Sequence, residues 1–206
     1  MPDVIANGVT RSMLTLETLS GKIDSQTMFG NDAPLVVDMG CGRGKFLADQ
    51  AALEPHKNFV GIEKSRKFSR IAAERVARRG LENCRVVCAY VEPLLEKHLR
   101  GPVVSEYHVL FPDPWPKRRH HRRRTLQTGT VRAMAATLQP GGLFRFVTDV
   151  PELFDFARAQ IGAVSELEPL PLEGQDEALF AYSSYHQRFV EEERPIYSYV
   201  WKRKED

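Results

Sequence analysis

From position 34 onward, short apolar, β-branched runs alternate with stretches whose apolar residues recur every three to four positions. The first pattern predicts strands buried on both faces, and the second predicts amphipathic helices. Five strands follow at Pro34–Met39, Asn58–Glu63, Cys84–Tyr90, Tyr107–Phe111 and Leu143–Val147. Between and after them lie predicted helices at Lys45–Leu53, Arg66–Arg79, Pro93–Leu99, Leu126–Leu138 and Glu152–Ile161. Gly80 stops the second helix and Pro140-Gly141-Gly142 the fourth, as residues that end helices should. Residues 1–32 lack a firm period and close on the loop chemistry of Gly30-Asn31-Asp32, so they read as an N-terminal extension with one short helix around Ser12–Leu19. Gly162–Asp176 is a Pro- and Glu-rich connection, and Ala178–Tyr182 with Ile196–Lys202 predicts a closing antiparallel pair. The expectation is an extension followed by one α/β domain at 33–206, a mixed sheet with helices on both faces.

In such a sheet ligands bind outside the carboxyl ends of the strands, where the strand order reverses. The chemistry-bearing residues gather there. Asp38, Gly40, Gly42 and Gly44 follow the first strand, Glu63 ends the second, Tyr90 ends the third, Asp113 and Trp115 follow the fourth and Asp149 ends the fifth. Glycines at a strand-to-helix turn allow a sharp bend and close approach of a nucleoside-containing ligand to the main chain. Glu63, 19 residues past Gly44, sits where a carboxylate can accept hydrogen bonds from ribose hydroxyls. Dinucleotide-binding dehydrogenases carry G-x-G-x-x-G, whereas this chain reads Gly40-Cys41-Gly42-Arg43-Gly44 with Asp38 two residues ahead. That tighter spacing resembles the S-adenosylmethionine-binding turn of class I methyltransferases. The resemblance implies a Rossmann-like, seven-stranded mixed sheet, with a carboxylate near the turn able to hold the cofactor's ammonium group.

Charge is concentrated at one place. Lys117–Arg124 carries six formal positive charges and two histidines, while the whole chain is only +2, which leaves the remainder near −4. This run follows Phe111-Pro112-Asp113-Pro114-Trp115-Pro116, whose prolines fix φ and are expected to hold Phe111, Asp113 and Trp115 in extended conformations. A stiff loop with one acid and one indole, leading into cations that reach outward, suits a nucleic-acid base and its phosphates. The rest of the composition is that of a globular core: 206 residues, 42% hydrophobic and 27% charged. Three cysteines, Cys41, Cys84 and Cys88, form no paired spacing, and Cys88 reads as buried in a strand, so neither a disulfide framework nor a zinc site is expected. With no signal-peptide pattern and no long apolar run, the expected setting is cytoplasmic, with no membrane and no metal, and the oligomeric state is open between monomer and homodimer.

Phe111-Pro112-Asp113-Pro114-Trp115-Pro116-Lys117, followed by Arg119-His120 and Arg122-Arg123-Arg124, resembles the signature of bacterial tRNA (guanine-N7)-methyltransferases. The resemblance extends from about Leu35 to Arg203, through Gly61-Ile62-Glu63, Thr148-Asp149 and a weaker match at Ser183–Arg188. It implies S-adenosylmethionine held near Asp38, Gly40, Gly42, Gly44, Glu63 and Tyr90, with Asp113 at the reaction centre. It further implies tRNA contacts from Trp115, Lys117, Arg119, His120, Arg123 and Asp149, with Ser183, Tyr185 and His186 closing over a guanosine of the variable loop. Three positions depart from the family pattern: Tyr90 stands where an acid is usual, His186 where a glutamate is usual, and the extension offers mainly Arg11 and Lys22 in place of a basic arm. Two alternatives stay open at this level, a methyltransferase acting on another RNA or on an amino nitrogen, and a catalytically silent RNA-binding relative.

Overall fold

The computed structural model describes residues 12–19, 21–170 and 191–205. In chain order these form β1 (Met13–Thr15), α1 (Ser25–Phe29), β2 (Leu35–Met39), α2 (Lys45–Leu53), β3 (Asn58–Glu63), α3 (Arg66–Arg78), β4 (Cys84–Cys88), α4 (Val91–Lys97) and β5 (Val104–Leu110). A 3₁₀ helix (Arg118–Arg123), α5 (Thr128–Thr137), β6 (Leu138–Thr148), α6 (Pro151–Gly162), β7 (Leu167–Pro169) and β8 (Tyr197–Arg203) complete them. The strands make one sheet in the order β1-β4-β3-β2-β5-β6-β8-β7, parallel except for β8, which runs antiparallel to β6 and β7. The order reverses between β2 and β5, so the carboxyl ends of those two strands flank the switch point.

Alternation along β2 sends Val36 and Val37 to opposite faces, and each face has its own core. Val36, Leu47, Ala48, Phe59, Ala72, Val76 and Val86 pack on the side of α2 and α3. Val37, Tyr107, Phe144, Phe146, Leu94, Met134, Ala157 and Trp201 pack on the other side with α4, α5 and α6. Each fully buried Val, Leu or Phe side chain contributes about 1.5–3 kcal/mol. Those two layers therefore fix the sheet edge that carries the site. α3 starts cleanly because Ser65 accepts from Phe68 N–H, and it ends against Gly80 at φ +64°.

Most element positions match the sequence expectation, and the exceptions have identifiable causes. No helix runs from Ser12 to Leu19: Met13–Thr15 is a strand, paired in parallel with Val86–Cys88, and with Leu167–Pro169 it brings the sheet of the described residues to eight strands, against the seven expected. The buried Asn58 ties the following segment to β3 by donating to Ser25 Oγ at 3.0 Å and Asn31 Oδ1 at 2.6 Å. β6 begins at Leu138, before the Pro140-Gly141-Gly142 punctuation, and the β5–β6 register shifts there to absorb it. Within the Gly162–Asp176 connection, Leu167–Pro169 pairs with β8. In β4 it is Cys84 that is fully buried, while Cys88 is only half-buried. The expected strand at Ala178–Tyr182 lies outside the described residues.

Candidate active site

The glycine turn is built by backbone geometry. Gly40, Gly42 and Gly44 have φ of +87°, +55° and +67°, the left-handed region that residues with a Cβ rarely adopt. Their tasks differ. A Cβ on Gly40 or Gly42 would meet open space, whereas one on Gly44 would lie 2.6 Å from Ala72 Cβ, so Gly44 lets α2 and α3 approach. Gly40 N–H and Cys41 N–H both donate to Ile62 O, at 2.8 and 3.0 Å, which locks the turn to the end of β3. Glu63 then clamps it: Gly42 N–H donates to Oε2 at 3.1 Å and Ser65 N–H to Oε1 at 2.7 Å. Each carboxylate oxygen keeps a second lone pair for another donor.

Asp38 is 3% exposed, and burial pushes its carboxyl up to about 7, against a pull downward from His108 and a further push from Glu63. His108 lies beside it across the β2–β5 register. The sequence expectation held no role for His108, yet it heads a buried chain of charge. Its Nε2 is 2.5 Å from Glu106 Oε1, Arg145 Nε donates to the same oxygen, and Phe46 meets the imidazole edge-on at 5.3 Å. Burial alone would raise Glu106, but attraction and hydrogen bonds from His108 and Arg145 outweigh it and hold its carboxyl at about 2. His108 Nδ1 is buried with no hydrogen-bond partner among the described residues.

The loop after β5 is held differently. Phe111 N–H continues the ladder to Val147 O at 2.8 Å, after which Phe111 and Trp115 take φ of +48° and +43°. The prolines were expected to keep both residues extended; instead they sit in the left-handed region, where a bulky side chain is strained. Side-chain tethers hold that conformation. Arg124, 3% exposed, donates through Nε to Pro114 O at 2.9 Å and through Nη2 to Glu152 Oε1 at 2.9 Å, and its guanidinium lies 4.7 Å from the Phe156 ring centre. The last cation of the basic run thus points inward and pins the loop to α6, contrary to the outward reach expected of the whole run. Lys117, Arg119 and Arg123 are exposed and His120 half-buried. Asp113 projects from this loop with its side chain 64% exposed and paired to Lys64 Nζ at 3.1 Å. Lys64 and Arg123 lie 5.9 and 5.0 Å from the Trp115 ring centre, and His120 meets that indole edge-on at 5.8 Å.

Tyr90 ends the β4 segment with its side chain out in solvent, 64% exposed. Asp149, after β6, is mostly buried and ion-paired to Arg194 at 2.8 Å. Ser183, Tyr185 and His186 lie outside the described residues. Asp38, the three glycines, Glu63, Tyr90, Asp113, Trp115 and Asp149 therefore all occupy the carboxyl edge of one sheet.

A family model described as "Putative methyltransferase" matches residues 32–199. The tRNA (guanine-N(7)-)-methyltransferase of Rhodopirellula baltica is 31% identical over 199 residues, covering 92% of this chain and 73% of the relative. The chain belongs to the tRNA (guanine-N7)-methyltransferase family. The enzyme of the same name from Nocardia farcinica is 40% identical over 156 residues, 76% of this chain, and the match spans only 56% of that relative's length. Among solved structures, a 30S ribosomal methyltransferase from an uncultured bacterium superposes with a TM-score of 0.61 at 14% identity, covering 88% of this chain and 95% of that one, a likeness of fold.

As a member of this family the chain has an edge that fits S-adenosylmethionine. Gly40 and Gly42 leave open space over the turn, two acids suit an ammonium and a ribose, and Glu63 has lone pairs to spare. Among the described residues no cluster could hold a metal ion, and no helix is long and apolar enough to cross a membrane. Lys64, His108, Arg124 and Glu152 are the contributors that sequence reasoning missed. Only Arg124 carried a signal, as the end of the basic run; the pairing of the others depends on the fold.

Proposed function

We propose that this chain transfers the methyl group of S-adenosylmethionine to N7 of a guanosine in the tRNA variable loop. The observation that carries the reading is an exposed carboxylate, Asp113, on a strained and tethered loop beside the edge that holds Asp38, Glu63 and the glycine turn. When bound, S-adenosylmethionine supplies an electrophilic methyl on a sulfonium. Asp38 would hold its ammonium and Glu63 its ribose hydroxyls, with Tyr90 as the residue offered to its adenine. Guanine N7 has a free lone pair, so it can accept a methyl group without first losing a proton, and the main requirement on this chain's residues is to position the base. Asp113 accepts from the guanine N1 and N2 donors, which orients the base and favours the positive charge it gains. Because the Lys64–Asp113 pair is exposed on both sides, the incoming base displaces it at a cost of about 0–1 kcal/mol.

Trp115, Lys117, Arg119, His120, Arg123 and Asp149 serve as substrate contacts, as do Ser183, Tyr185 and His186 from the segment before β8. Residues 33–206 act as one methyltransferase domain in the cytoplasm. Incubation of the protein with methyl-labelled cofactor and an unmodified tRNA transcript, followed by nucleoside mass spectrometry, tests the assignment. Label in N7-methylguanosine supports it; label in another nucleoside, or in none, overturns it.

A further inference from the structure

Besides Lys117–Arg124, Lys64–Arg79 is a second concentration of basicity, with seven formal positive charges against one acid, Glu74. Its distribution in the fold is uneven. Lys64, Arg66, Lys67 and Arg70 are exposed around the start of α3, next to the carboxyl edge of the sheet, while Arg78 and Arg79 lie roughly 18 Å away at the other end of the helix. The first turn of α3 contains no acid, so Arg66 and Lys67 stand where the helix dipole disfavours cations. Neither has a carboxylate partner among the described residues, so no ion pair there offsets that placement. By contrast Arg79 is paired to Asp49 and Arg70 to Glu74.

Trp115 joins the two basic segments. Lys64, which precedes the cap of α3, lies 5.9 Å from its ring centre and 3.1 Å from Asp113, and Arg123 of the 3₁₀ helix lies 5.0 Å from the same ring. Lys64 and Arg123 at Trp115, with Arg66 and Lys67 two and three residues after Lys64, thus form one exposed cationic band along the edge that carries Asp113. We propose that this band is an RNA backbone track: Arg66 and Lys67 bind phosphates of the substrate on the side of the target guanosine opposite to those bound by the Lys117–Arg123 run. A track on both sides of Asp113 holds the strand across the site, whereas the run alone would anchor it at one side only. The proposal rests on the RNA-methylating reading and concerns binding, not product.

The test is the salt dependence of binding of an unmodified tRNA transcript to the full chain, compared with Arg66→Ala/Lys67→Ala and with Arg78→Ala as a control from the far end of the same helix. The double variant is expected to flatten the slope of log affinity against log salt by about 1.4–1.8, roughly 0.7–0.9 for each lost phosphate contact, with cofactor affinity unchanged. Arg78→Ala is expected to leave the slope where it was. An unchanged slope in the double variant, or an equal loss in Arg78→Ala, overturns the track, since the first removes its contacts and the second makes the effect one of diffuse charge. Methylation with an unaltered slope would sink the track alone, and tRNA bound with the predicted slope but never methylated would sink the functional reading alone.

Discussion

The two halves of the site are positioned by different kinds of force. At the glycine turn, backbone conformation and main-chain hydrogen bonds do the placing: three left-handed glycines, two N–H donors on Ile62 O and two more on Glu63. Its acids are buried. At the Asp113 loop, side chains from distant elements do it: Arg124 and Glu152 hold a strained backbone, while the Asp113 carboxylate stays in solvent. On the proposed reading, a rigid, desolvated shelf meets a small cofactor, and an open loop whose own ion pair is cheap to exchange meets a large polyanion.

The largest effect should come from breaking the buried half. Asp38→Asn removes the charge proposed to face the cofactor's ammonium, and titration calorimetry should record a loss of affinity of roughly 10²-fold or more. In wild type the same affinity should rise with pH through about 7, as Asp38 ionises. Stability should run the other way. The folded carboxyl keeps its proton up to about 7 and the unfolded one releases it near 3.8, so between these values the folded state binds more protons and loses stability as pH rises. Asp38→Asn should therefore be the more stable protein at pH 8 in urea unfolding, by on the order of 4 kcal/mol at most.

Next in size, Glu106→Gln leaves His108 and Arg145 buried without their shared carboxylate and should cost about 3–5 kcal/mol in the same experiment. Smaller in energy but sharper for the comparison, Arg124→Ala should slow methylation roughly 10²-fold while leaving cofactor affinity intact, because it releases Pro114 O and the loop without touching the glycine turn. A fall in cofactor affinity would mean that the two halves are not separately held. Smallest of all, Lys64→Ala should change stability by no more than about 1 kcal/mol, since both partners of its ion pair are exposed.

That difference in construction also explains what could be read from the chain. Periodicity and glycine punctuation located α2 and β3 to the residue and found α3, because those signals are local. Gly40, Gly42, Gly44 and Glu63 were legible for the same reason: a turn that must be left-handed advertises itself in composition. Met13–Thr15 was misread because a three-residue edge strand has no period of its own and forms only against β4. Arg124 was counted with its neighbours as an outward charge, and only the fold brings Pro114, Glu152 and Phe156 around it. His108 and Lys64 were invisible as site residues because their partners, Asp38 across a strand pair and Asp113 across the edge, lie 70 and 49 residues away.

The central claim is that Asp113 serves the transfer step from a loop held independently of the cofactor shelf. Asp113→Ala, assayed by S-adenosylmethionine calorimetry and by N7-methylguanosine formation in tRNA, tests both parts at once. The expected result is unchanged cofactor affinity with methyl transfer reduced by roughly 10²-fold or more. Transfer retained at the wild-type rate, or cofactor binding lost together with it, would contradict the account.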